Sequence, residues 1–127
     1  MYTDETQTEC GDFLFVTELE RCAEIEKVLT RGNLKVAHVE SGGQALATLA
    51  AEPWTVMVAD TRLPDMDGVE LARAALAIRS GLFVFLGDAD PPEELGKQAA
   101  IAGVAGIVHM PYEPDELLPL LWFVMQS

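Results

Sequence analysis

Three acidic residues stand at or just beyond short apolar runs. Glu18 follows Phe13-Leu14-Phe15-Val16 after Thr17, Asp60 closes Val56-Met57-Val58-Ala59, and Asp88 follows Leu82 to Leu86, one residue past Gly87. A single acid in such a place is ordinarily a solvated loop residue. Several on adjacent strands make a shared site, and convergent carboxylate oxygens suit a hard divalent cation such as Mg²⁺, which takes one or two carboxylates and keeps several waters. Other chemistries lack their motifs. Ser41-Gly42-Gly43 has neither the P-loop nor the GxGxxG spacing, and no Ser–His–Asp or Cys–His nucleophile arrangement is evident. Cys10 and Cys22 form no CxxC pair and no metal-type cluster with His38 and His109. Cys22 falls on an apolar helix face and reads as a small core residue, Cys10 as a free thiol in a polar leader.

The elements that must position these acids alternate in type. Phe13–Val16 is apolar throughout, as in a strand covered on both faces. Cys22, Ile25 and Leu29 then recur at helical spacing up to Gly32, a helix stop. Residues 34–39 alternate and read as a more exposed strand, which places His38 at the surface. Ser41 can cap a helix with Leu46, Leu49 and Ala50 inward, ended by Pro53. After Asp60 and a polar loop, Asp67 can cap a helix with Val69, Ala72 and Leu76 inward. Leu82–Leu86 is a fourth strand, and Asp90-Pro91 opens a helix that stops at Gly103, with Glu93 and Glu94 at its positive end. Ile107-Val108-His109 is a short fifth strand, and Pro114-Asp115-Glu116 opens the last helix. Five βα units with short connections imply a parallel sheet with helices on both faces. Residues 1–11 read as a polar tail and 12–127 as one domain.

Bulk properties narrow the partners. The 127 residues are half hydrophobic, enough for a real core, and carry 21 acidic against 8 basic side chains, a formal net charge of -13. Such a surface repels nucleic-acid phosphates and anionic membranes. The acidic start MYTDETQTECGD is unlike a signal peptide, and Leu117–Met125 is shorter than the ~20 residues of a spanning helix. Two thiols without a framework fit a reducing compartment, and a cytoplasmic protein is expected.

The loop Asp60-Thr61-Arg62-Leu63-Pro64-Asp65-Met66-Asp67-Gly68 resembles the phospho-acceptor loop of response-regulator receivers, in which an aspartate is followed four residues on by proline and eight on by glycine. The run from Gly103 to Leu117, with Met110-Pro111-Tyr112-Glu113-Pro114-Asp115-Glu116-Leu117, is similar to the end of the same domain, and the resemblance extends from residue 13 to about 126. It implies a flavodoxin-like three-layer sandwich of (βα)5 type, with a five-stranded parallel sheet in the order 2-1-3-4-5. It implies Asp60 as acceptor of a phosphoryl group from a histidine kinase, and Mg²⁺ held by Glu18, Asp60 and the backbone carbonyl of Arg62. It implies a signalling module rather than an enzyme.

Four positions depart from the family pattern. Thr17 replaces the first acid of the pair after the first strand. Asp88, or Gly87 in a register shifted by one, stands where a threonine or serine is usual. Ile107 replaces the aromatic switch residue, and Met110 replaces the lysine before the prolyl bond. Methionine cannot donate, and removing one preorganised donor from a charged transition state costs roughly a hundred- to thousand-fold in rate. Asp88, pointing inward, would add a like charge beside the phosphoryl group. His109 is one residue early on its strand and faces the other way. Arg62 offers an internal counter-ion or a solvated side chain. The expected function is therefore a receiver working mainly through protein contacts, with a weak Mg²⁺ site and slow or absent phosphorylation. The alternative is an ordinary phospho-switch at Asp60.

The last helix is apolar on more than one side. Leu117, Leu120 and Val124 form one stripe, and Leu118, Leu121, Trp122 and Met125 another, with Pro119 either kinking the helix or lying in its first turn. The second stripe is expected to make a homodimer or to dock an effector domain.

Overall fold

The computed structural model describes residues 11–125, and the side chains of residues 11–124. Five strands, β1 (Gly11–Val16), β2 (Val36–Val39), β3 (Trp54–Asp60), β4 (Phe83–Asp88) and β5 (Gly106–His109), alternate with five helices. These are α1 (Leu19–Arg31), α2 (Gly42–Ala51), α3 (Gly68–Ile78), α4 (Glu93–Ala102) and α5 (Pro114–Met125). All strand pairs are parallel, in the order β2-β1-β3-β4-β5. The strand order and the three layers agree with the sequence reading.

Alternation along each central strand divides the core between the two faces. Phe13 and Phe15 of β1 and Val56 and Val58 of β3 pack with Cys22, Ile25 and Leu29 of α1 and with Leu117, Leu121 and Val124 of α5. Leu14, Val16, Met57 and Ala59 face Leu49 of α2, Leu71 and Ala75 of α3, and Leu95 and Ala99 of α4. Burial lifts the Cys22 thiol to about 12, with Glu26 and Asp60 pushing the same way, so this cysteine is an inert core residue.

Several local expectations need correction. β1 begins at Gly11, so the tail is shorter than read; Gly11 gives no hydrophobic signal because the ring of Trp54 lies where its Cβ would be. Cys10 lies outside the described residues. Helix α1 does stop at Gly32, its C-cap, and the left-handed residue is the following Asn33 (φ 66°), a conformation asparagine tolerates. Ala50 is exposed and Ala45 takes its inward place. Helix α4 starts at Glu93 with Pro92 at its cap, and the Asp90 N–H instead donates to Asp88.

In α5 the buried stripe is Leu117, Leu121 and Val124, while Leu120 is exposed. Leu121 is therefore a core residue and not part of an outer surface, because α5 is turned so that positions i, i+4 and i+7 meet the sheet. Leu118 is partly buried against the same cluster, and Trp122 is 68% exposed. Pro119 lies inside the helix, which continues through it without the N–H that would have bonded Asp115. The side chain of Met125 is not among those described. No helix among the described residues is long and apolar enough to cross a membrane.

Candidate functional site

Asp60 is the last residue of β3, paired with Gly87 on one side and one step beyond the Ala59–Val16 pair on the other. It thus sits at the carboxyl end of the sheet's central strand, next to the switch in strand order where open α/β sheets place their sites. Its side chain is almost wholly buried, at 3% exposure. A buried carboxylate must be hydrogen-bonded and charge-compensated, and this one is. The Tyr112 hydroxyl donates to Oδ1 at 2.6 Å. Oδ2 accepts from the Thr17 hydroxyl at 2.8 Å and from Arg21 Nη1 at 2.7 Å.

Each donor is placed by a different element. Thr17 directly follows β1, where its own N–H donates to the Val39 carbonyl. Its carbonyl accepts from His38 Nε2 at 2.6 Å, so His38 is partly buried and engaged rather than a bare surface residue. Arg21 lies in the first turn of α1, three residues after Glu18, on the face that overlooks the strand ends. Its second nitrogen, Nη2, is 3.1 Å from Glu18 Oε1, so one guanidinium bridges both acids. Burial works against the Arg21 charge, but the hydrogen bond and field of Asp60, with Glu18, outweigh it and hold the guanidinium above its ordinary value.

Tyr112 follows the cis Met110–Pro111 bond. Its N–H donates to the Arg21 carbonyl and its ring tilts against Phe15 at 6.3 Å between centroids. Burial, then the Asp60 carboxylate, pushes the phenol far above its usual range, so it remains a donor. Its ring edge needs Gly87, since a Cβ there would overlap the Tyr112 hydroxyl and ring.

The other expected residues fall outside this cluster. Gly87, not Asp88, is the strand neighbour of Asp60. Asp88 does not add its charge to the Asp60 cluster; it accepts from the Thr61 hydroxyl at 2.5 Å and from the Asp90 N–H at 2.9 Å. The Thr61 and Asp90 hydrogen bonds hold its carboxyl below the usual range, against a small cost of burial and with help from Arg62. Ile107 packs into the α2–α4 side of the core and Met110 against the other side. His109 is exposed, and its backbone lies opposite Asp88 in the strand register. Arg62 is exposed, so the guanidinium that reaches the acids is that of Arg21. Asp65 ties the acceptor loop to α2, accepting from the Gly42 and Gly43 N–H groups at 2.9 Å each, and these bonds lower its pKa.

The Mg²⁺ site expected from Glu18, Asp60 and the Arg62 carbonyl does not fit this arrangement. Mg²⁺ needs carboxylate oxygens as direct ligands at about 2.0–2.1 Å. Here both Asp60 oxygens already accept hydrogen bonds, Thr17 replaces an acid, and a cation bridges Asp60 and Glu18. Among the described residues no group of three or more His, Cys, Asp or Glu side chains could hold a metal.

Arg21 and Tyr112 are the residues the sequence reading missed. Arg21 looked like one of several charges on an amphipathic helix. Its spacing of three from Glu18, beside an acid pair broken by Thr17, was the available signal. Tyr112 stood within the quoted end motif, but nothing marked it as inward-facing.

Comparison with known proteins supplies an independent line. Residues 18–121 match the family model of the response regulator receiver domain. A stretch of 52 residues is 38% identical to the response regulator receiver protein CpdR of Brucella abortus (strain 2308). That match covers 41% of this chain and 43% of CpdR, less than half of either. Among solved structures, a CheY-like receiver domain protein from Methanospirillum hungatei JF-1 superposes with a TM-score of 0.81 at 22% identity, over 92% of this chain and 98% of that one. The beryllofluoride-activated NtrC4 receiver domain, a dimer in solution, gives 0.83 at 16% identity, over 91% and 96%. At these identities the structural likeness speaks to the fold.

Proposed function

Because this chain belongs to the response-regulator receiver family, we propose that it is a signalling receiver that acts mainly through protein contacts, with Asp60 phosphorylated slowly or not at all. The observation that carries this reading is that both Asp60 oxygens already accept hydrogen bonds from buried or part-buried donors. A nucleophilic carboxylate oxygen needs an open approach, and here Oδ1 is capped by Tyr112 and Oδ2 by Thr17 and Arg21. The position usually held by a phosphate-binding lysine is Met110, and the position usually held by a hydroxyl is Asp88, or Gly87 in a register shifted by one; none of these side chains supplies the missing donor.

Intact-mass measurement after incubation with acetyl phosphate and Mg²⁺ tests the reading. Little or slow gain of one phosphoryl group is expected. The double change Met110→Lys with Asp88→Thr should raise it. Rapid, near-complete labelling of the wild type that is lost in Asp60→Asn would establish the ordinary phospho-switch instead.

The partner in this reading is a histidine kinase or another signalling protein, in the cytoplasm, or a second copy of the chain. Support for self-association comes from the outer side of α5. Trp122 is exposed and borders an apolar groove walled by Val28, Leu34, Leu118 and Pro119. The NtrC4 receiver to which this fold is similar is itself described as a dimer. Buried tryptophans at interfaces contribute ~2 kcal/mol or more. Light scattering over a concentration series should show a wild-type dimer that Trp122→Glu dissociates without unfolding, since Trp122 lies outside the core. A wild type that stays monomeric at the highest concentration would remove the homodimer.

A further inference from the structure

We infer that Arg21 is a built-in counter-ion that takes the place of a divalent cation at Asp60, so that the Arg21 contact and cation binding there exclude one another. The inference rests on the reading that Asp60 is held rather than open, and deepens it by naming what holds the charge.

The geometry is that of a bridging cation. Arg21 Nη1 is 2.7 Å from Asp60 Oδ2 and Nη2 is 3.1 Å from Glu18 Oε1. These are the two carboxylates that would otherwise converge on a metal ion. A guanidinium is planar, permanently charged and forked, so a single side chain can serve two acids at once. Helix geometry puts it there: Glu18 stands at the N-cap position of α1 with its side chain free of the backbone, and Arg21 lies three residues on, within reach of it. The Arg21 carbonyl is fixed in turn by the Tyr112 N–H.

The charges also match one to one. Asp60 is nearly fully buried, while Glu18 is 55% exposed and largely screened by water. Thr17, itself buried, contributes a hydroxyl where a second buried acid would have called for a divalent ion. One buried negative charge therefore meets one guanidinium. A divalent ion added beside it would face the Arg21 charge, and Asp60 Oδ2 would have to give up two donors to coordinate it.

Manganese serves as the probe, because free Mn²⁺ can be counted directly by electron paramagnetic resonance. Wild type, Arg21→Ala, Arg21→Lys and the double variant Arg21→Ala with Asp60→Asn would be titrated, with circular dichroism confirming the fold. Wild type and Arg21→Lys should show no saturable Asp60-dependent site. Arg21→Ala should bind at least about tenfold tighter, as expected when one adjacent like charge is removed. The double variant should lose that gain. Mg²⁺ should also raise the melting temperature of Arg21→Ala and leave that of wild type unchanged. A wild-type site abolished by Asp60→Asn, or a folded Arg21→Ala that binds no better than wild type, overturns the inference. Should Arg21→Ala not fold, wild type and Asp60→Asn decide alone: an Asp60-dependent wild-type site overturns the inference, and none supports it. Phosphoryl labelling plays no part in this readout, so slow labelling and cation exclusion can fail separately.

Discussion

The ends of β1 and β4 both depart from the receiver pattern, and they do so in opposite directions. At the end of β1 the changed residue turns inward. Thr17 donates to Asp60, and Arg21, four residues on, adds a second donor and a positive charge. At the end of β4 the changed residue turns aside. Asp88 is held by Thr61 and by the Asp90 N–H, partly exposed, and makes no hydrogen bond within the Asp60 cluster. Had Asp88 faced Asp60, two carboxylates would have shared a site and each would have disfavoured the other's charged form. The β1 end compensates a buried charge; the β4 end avoids adding to it. The losses expected from the sequence thus differ in kind. One is a replacement of the ion, the other only the absence of a hydroxyl.

What the β4 end supplies to Asp60 is room. Gly87 leaves the space that the Tyr112 ring and hydroxyl occupy. Gly87→Ala is the variant with the largest expected effect, because the new methyl must displace either strand β4 or Tyr112. Overpacking of this sort costs ~1–3 kcal/mol, and the lost hydrogen bond to buried Asp60 Oδ1 adds about 1–3 kcal/mol. Urea denaturation should show a loss of roughly 2–6 kcal/mol with an unchanged m-value. Combining it with Tyr112→Leu should cost less than the sum of the two single changes, since both act on one contact. Additive costs would mean that Gly87 and Tyr112 are not coupled.

The sequence carried the fold and about half of the site. The five apolar runs and the helical repeat of Cys22, Ile25 and Leu29 admit one reading because strands and helices have different periods. The place of Asp60 at the centre of the site followed from the loop Asp60–Gly68. The direction of side chains at strand ends did not follow, because alternation defines facing only within the ladder and Asp88 is its last member. Arg21 was hidden for a related reason. A charged residue in the first turn of an amphipathic helix is usually solvated, and only the burial of Asp60 shows that this one is needed. The phase of α5 was illegible because a helix apolar on nearly all sides gives no unique stripe. Leu120 and Leu121 are equally good core candidates until the helix is docked, and docking selects Leu121.

The smallest expected effect is at Asp88, and it sharpens the contrast between the two strand ends. The Thr61 hydroxyl and the Asp90 N–H favour the charged form of Asp88, so its folded pKa lies below its unfolded value of about 3.9. The linkage sign follows. A group with a depressed folded pKa contributes stability that is fully present above the unfolded pKa and is lost as pH falls through the folded one. Asp88→Asn should therefore cost stability at pH near 7, by no more than about 1 kcal/mol because the group is near the surface and screened. The difference from wild type should shrink as pH drops below about 4. Paired urea titrations of both proteins at neutral and acid pH cancel the other carboxylates and isolate this one. A loss as large as that of Gly87→Ala would place Asp88 inside the Asp60 cluster after all. A loss independent of pH would mean that the Asp88 charge does not contribute and that only the shape of the Thr61 contact matters.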